Sequence, residues 1–109
     1  MVKVKNNSIE MTKGDSLYVE VGIFRADGTA YDPQEGDEIK FGVKLNEKQE
    51  NLLIEKVIPN DTLLLHLNPE DTKTLAVGKY VYDIQLTFAN GDIDTFINKA
   101  DFKLVAEVI

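Results

Sequence analysis

Apolar residues in this chain recur at every second position, and that period fits half-buried β-strands and little else. The clearest run is Leu17-Tyr18-Val19-Glu20-Val21-Gly22-Ile23-Phe24, in which Leu17, Val19, Val21 and Ile23 share one face. Residues 39–45 repeat it, with Ile39, Phe41, Val43 and Leu45 turned to a core and two lysines outside. Residues 79–88 form the longest strand, with Tyr80, Tyr82, Ile84, Leu86 and Phe88 on one face and Val81, Asp83, Gln85 and Thr87 on the other. Shorter strands are expected at Ile9-Glu10-Met11 and over 52–58, 62–67, 93–97 and 102–109, with Leu63, Leu65 and Leu67 inward.

Turn chemistry separates these runs. Asp27-Gly28 and Asn90-Gly91 lie between extended segments, and glycine accepts positive φ without a Cβ clash. Asn90-Gly91 is the favoured pair for a two-residue type I′ hairpin. One segment departs from the period of two. Asn68-Pro69-Glu70-Asp71-Thr72 has a capping residue, Pro at the first helical position and acids in the first turn. It predicts one helical turn near residues 69–75, closed before Gly78.

Seven or eight short antiparallel strands at this spacing predict an all-β immunoglobulin-like β-sandwich. The 109 residues suit one domain spanning 1–109. Folding at this length buries roughly 65% of the unfolded surface, enough for an apolar core without staples. No cysteine is present, which removes disulfides, thiolate metal sites and cysteine nucleophiles.

The net charge of −7 argues against nucleic acid and against anionic membranes as partners, since both demand a basic face. No stretch approaches the ~20 apolar residues of a membrane helix. The N-terminal residues Met1 to Asn7 include lysines with no apolar run behind them, unlike a secretory signal peptide.

Candidate chemistry is sparse. His66 is the only histidine and alternation places it outside. Ser8 and Ser16 sit in no nucleophile elbow. The acidic cluster Asp32, Glu35, Asp37 and Glu38, and the Asn90-Gly91-Asp92-Ile93-Asp94 segment, offer oxygens to a cation, but neither spacing matches a calcium loop. Gly-Asp recurs at Gly14-Asp15, Gly36-Asp37 and Gly91-Asp92, which favours a turn role. There is no phosphate loop, and no cofactor or enzymatic activity is expected. Tyr18 and Phe24 lie opposite Leu17 and Val19, so they are the candidate interface residues.

Met11-Thr12-Lys13-Gly14-Asp15-Ser16-Leu17, Asp27-Gly28-Thr29 and Gly36-Asp37-Glu38-Ile39-Lys40-Phe41 resemble small phage and prophage proteins of Gram-positive bacteria. In particular they are similar to the N-terminal immunoglobulin-like domain of phage upper baseplate proteins. Leu67-Asn68-Pro69-Glu70-Asp71-Thr72 and Gly78-Lys79-Tyr80-Val81-Tyr82-Asp83-Ile84 extend the likeness over residues 9–108. Baseplate proteins of that kind continue into receptor-binding or trimerising regions, whereas this chain stops at Ile109.

The resemblance implies a non-enzymatic structural or adaptor module of a tail, baseplate or decoration. Its expected partners are virion or prophage proteins and a possible homo-oligomer. It would be made in the bacterial cytoplasm and carried in the virion. The alternative is an immunoglobulin-like binding module for carbohydrate or a cell-surface ligand.

Overall fold

A computed structural model of the chain describes residues 3–5, 7–25 and 27–106. Eight strands and one short helix follow in order: β1 (Lys3–Lys5), β2 (Ser8–Thr12), β3 (Leu17–Glu20), β4 (Glu38–Lys44), β5 (Ile54–Ile58), β6 (Leu64–Leu67), α1 (Pro69–Lys73), β7 (Gly78–Thr87) and β8 (Ile93–Val105). Six strands make one sheet in the order β1-β2-β8-β7-β4-β5, and β3 and β6 pair as a second, two-stranded sheet. The chain is thus mostly β, as the alternation predicts. The last three positions of the strand expected over 102–109 lie outside the described residues.

The expected all-antiparallel pairing needs one correction. β2 runs parallel to β8, with Ile9 opposite Phe102 and Met11 opposite Leu104, so the larger sheet is mixed. Alternation records which face a residue takes, and it is silent on strand direction. Parallel neighbours need a long crossover, and here the chain between β2 and β8 supplies it.

The strands expected at 93–97 and 102–109 are one strand, β8. Its register against β7 slips between Tyr82 and Ile84 and again between Ile84 and Gln85. Tyr82 faces Ala100 while Ile84 faces Ile97, so Asp83 meets two residues, Asn98 and Lys99. Each extra residue reverses the alternation. That is why Ile97 and Phe102, of opposite parity, can both pair with inward residues of β7.

The core draws on both sheets. Leu17, Leu65 and Leu67 from the small sheet meet Ile9, Met11, Ile39, Phe41, Val43, Tyr80, Tyr82, Ile84, Leu86, Phe102 and Leu104 from the large one. Three rings mark its centre: Phe41 and Tyr82 lie 5.3 Å apart, Phe41 and Phe102 6.2 Å, and Tyr82 and Phe102 6.5 Å. These tilted and edge-on geometries suit the aromatic quadrupole. Burial pushes the Tyr82 phenol up to about 12, and its hydroxyl donates to the Asn7 carbonyl.

Four leucine placements differ from expectation. Leu45 falls beyond the end of β4 and is 51% exposed. Leu52 and Leu53 precede β5 and are also exposed. Leu63 has φ 53° and only leans on the core, because its N–H turns back to the Pro59 carbonyl at 2.9 Å instead of joining a strand.

The helical turn forms where expected. Asp71 accepts a hydrogen bond from the Asn68 N–H at 2.7 Å and pairs with Lys56 of β5 at 2.9 Å, tying α1 to the large sheet. Thr72 is fully buried, and its hydroxyl oxygen accepts from the Gly14 N–H at 2.9 Å. Replacing Thr72 by Val keeps the shape but strands that N–H. A loss of about 1–3 kcal/mol in urea unfolding is expected, while Thr72→Ser retains most of the stability.

Candidate functional site

The outer face of the two-stranded sheet is built by the same alternation that fills the core. Leu17, Val21 and Ile23 are buried, so Tyr18, Glu20, Gly22 and Phe24 point away from it. Tyr18 is 62% exposed and Phe24 66%. β3 pairs antiparallel to β6 with Tyr18 directly opposite His66, and the two rings stack at 4.1 Å with 9° between planes. Glu20 faces Leu64, which is also exposed.

The Phe24 ring folds back over Gly22, where an added Cβ would come within 2.9 Å of it. The face therefore reads, along β3, as a stacked ring pair, a carboxylate beside a leucine, and a second ring. Sequence alternation placed Tyr18, Phe24 and His66 outside. It could not bring His66 onto Tyr18, because that contact depends on the β3–β6 register. Imidazole stacked in this way is a surface group with no nucleophile hydrogen-bonded to it among the described residues.

The acidic loop has a different role. Asp37 is only 8% exposed. Its carboxylate accepts from the Tyr31 hydroxyl at 2.5 Å, from the Gln34 N–H at 2.8 Å and from the Ala89 N–H at 3.1 Å. Asn60 donates to the Asp37 carbonyl at 2.7 Å. These bonds join the 31–37 loop to the β5–β6 and β7–β8 connections. The Tyr31 hydroxyl, followed by the backbone donors, holds the Asp37 carboxyl below its ordinary range. The same bond raises the Tyr31 phenol.

Asp32, Glu35 and Glu38 remain exposed. No group of three or more His, Asp or Glu side chains able to share one ion occurs among the described residues.

The Gly-Asp pairs are turns: Gly14, Gly36 and Gly91 have φ of 87°, 92° and 96°. The hairpin at Asn90-Gly91 is not the expected two-residue type I′ turn. Phe88 N–H donates to the Asp92 carbonyl and Gly91 N–H to the Phe88 carbonyl, both at 2.8 Å, which leaves three residues in the loop. Only Gly91 takes positive φ, as in a type I turn closed by a glycine bulge. Arg25 and Thr29 are joined by the same pattern of bonds, with Gly28 at φ 89°.

A groove of about 370 Å³ lies on the outer face of the large sheet, above Gly42. Lys40, Lys44, Asp83, Gln85 and Lys99 line it, and Leu52 closes over Gly42, where a Cβ would meet the leucine at 2.8 Å. Two of its lysines are engaged by acids. Lys99 reaches Glu47 at 2.9 Å, its N–H donates to Asp83 at 2.7 Å, and Lys40 lies within 3.6 Å of Glu38 and 3.9 Å of Glu55. Glu47 raises the Lys99 ammonium above its usual value. Gly42 inside a strand is the one sequence signal of such a close approach.

Compared with models of known families, with curated proteins and with solved structures, the chain matches none. Among the described residues, no helix is long and apolar enough to cross a membrane.

The depressed Asp37 value makes a pH prediction. An unfolded aspartate titrates near ~3.9. The folded value is lower, so the stabilisation is complete above ~3.9 and fades as pH falls through the folded value. Asp37→Asn should be clearly less stable than wild type at neutral pH, and the gap should close under acid. Urea midpoints at pH ~7 and pH ~3 test this; a gap unchanged by pH would assign the effect to shape and not to charge.

Proposed function

We propose that this chain is a non-enzymatic adaptor module with an immunoglobulin-like sandwich architecture, acting through protein–protein contacts on the face bearing Tyr18 and Phe24. One observation carries the reading: two aromatic rings are each more than 60% exposed, Tyr18 on the outer face of the two-stranded sheet and Phe24 four residues beyond the end of β3, where it bridges to Ala30. Burying a large ring stabilises an association strongly, and aromatic residues are enriched in the desolvated centres of interfaces.

The likeness of the Gly-Asp, Asp-Gly and Gly-x-Tyr-x-Tyr segments to phage upper baseplate domains supports the setting: a tail, baseplate or decoration component of a phage or prophage particle. In that setting the chain is made in the bacterial cytoplasm and carried in the virion, and its partners are other particle proteins.

The test pairs the wild-type chain and a Tyr18→Ala/Phe24→Ala variant with purified tail and capsid proteins encoded beside its gene. Both positions are exposed, so the circular dichroism spectrum and melting temperature should change little. Affinity for the cognate partner, read by calorimetry, should fall at least about tenfold, the loss expected when a ring at the centre of an interface is truncated. Equal affinity in the variant would remove this face from the interaction.

A further inference from the structure

The rings stand beside an unused sheet edge. β3 pairs with β6 alone, and no strand pairs with its other side among the described residues. Val21 donates to the Leu63 carbonyl at 2.8 Å, so the odd-numbered residues exchange the ladder bonds with β6. The hairpin that follows keeps the same parity: Tyr31 N–H donates to the Ile23 carbonyl at 2.9 Å and Arg25 N–H to the Thr29 carbonyl at 2.8 Å. The even residues Tyr18, Glu20, Gly22 and Phe24 therefore turn their N–H and C=O groups to the open side.

β3 itself runs four residues, Leu17–Glu20, and the chain continues past it to Phe24, which bridges to Ala30. The other edges of the molecule are less open. β1 is three residues long and reads Lys-Val-Lys, a short, charged edge of the kind that resists pairing. β5 is bridged to α1 by the Lys56–Asp71 pair.

Charge selects the occupant. Glu20 is the one formal charge among the four outward residues, and it makes no ion pair among the described residues. Arg25, the nearest cation in sequence, is turned into its own hairpin. Its guanidinium donates to the Ala30 carbonyl at 2.8 Å and lies 5.4 Å from the centre of the Tyr31 ring. A second copy of the chain would bring another net charge of −7 to the edge. A basic strand would not.

We propose that the free edge of β3 accepts an extended basic segment of another protein by strand addition, with a lysine or arginine opposite Glu20, flanked by the rings of Tyr18 and Phe24. This rests on the adaptor reading and specifies how the adaptor holds its partner. Main-chain hydrogen bonds supply the affinity, and side chains at alternate positions supply the choice of partner. A long cationic side chain entering from the open side can place its head by the Glu20 carboxylate and lay its methylenes along the ring faces.

The probe is a capped nine-residue peptide of alternating valine and lysine, titrated into the ¹⁵N-labelled full chain. Two controls are the valine–glutamate peptide and the lysine peptide N-methylated at alternate residues, which cannot complete a ladder. Strand addition predicts that the lysine peptide slows hydrogen exchange at the Tyr18, Glu20 and Gly22 amides at least about tenfold, binds at least about tenfold tighter than the glutamate peptide, and loses binding when N-methylated.

Equal binding of the N-methylated peptide, equal binding of the glutamate peptide, or no exchange protection at millimolar peptide each overturns the proposal. So does protection of the same amides without peptide, accompanied by a doubled solution mass, since the occupant is then a second copy. The adaptor reading is judged separately, by the ring variant and its cognate partner, so the edge can fail while the aromatic face stands.

Discussion

Phe41, Tyr82 and Phe102 come from β4, β7 and β8, three neighbours in the large sheet, and their mutual packing sets the centre of the core. Each ring removes a large apolar surface from water, and a truncation here would cost about 3–5 kcal/mol through lost burial and an unfilled cavity. The small sheet depends on this centre. Two strands alone are barely stable in water, so β3 and β6 persist because Leu17, Leu65 and Leu67 are buried against the larger layer.

Polar groups then fix what the apolar contacts leave loose. Asp37 and Thr72 accept from backbone donors on distant chain segments, Ala89 and Gly14, and Asp71 pairs with the Lys56 side chain of β5. A buried carboxylate is tolerable only with such partners, and Asp37 has three donors. This explains why the most acidic stretch of the chain contributes a structural knot. The Asp37 oxygens are committed to folding, while Asp32, Glu35 and Glu38 stay exposed.

The two sheets are unequal, with six strands in one and two in the other among the described residues. β3 pairs only with β6 among the described residues, which leaves one edge of it without a strand, and alternation exposes Tyr18 in β3 and Phe24 just beyond it. Natural sheets usually blunt such an edge with charge, proline or a covering segment; here Glu20 alone interrupts an otherwise uncharged run from Tyr18 to Phe24.

Much of this was legible in the residues. Period-two alternation determined the strands, the inward faces of β3, β4 and β7, and the exposure of Tyr18 and Phe24, because side-chain direction in a strand is a local property. Asn68, Pro69 and Asp71 likewise announced α1 through local capping chemistry.

Tertiary structure decided the rest. The parallel pairing of β2 with β8, the bulges that merge two expected strands into β8, the Tyr18–His66 stack and the Tyr31–Asp37–Ala89 bonds all join residues far apart in the chain or set the register between strands. Alternation specifies which face a residue takes but carries no information about which strand lies beside it, in which direction, or in what register. Those choices follow from how one core is filled by all the strands at once.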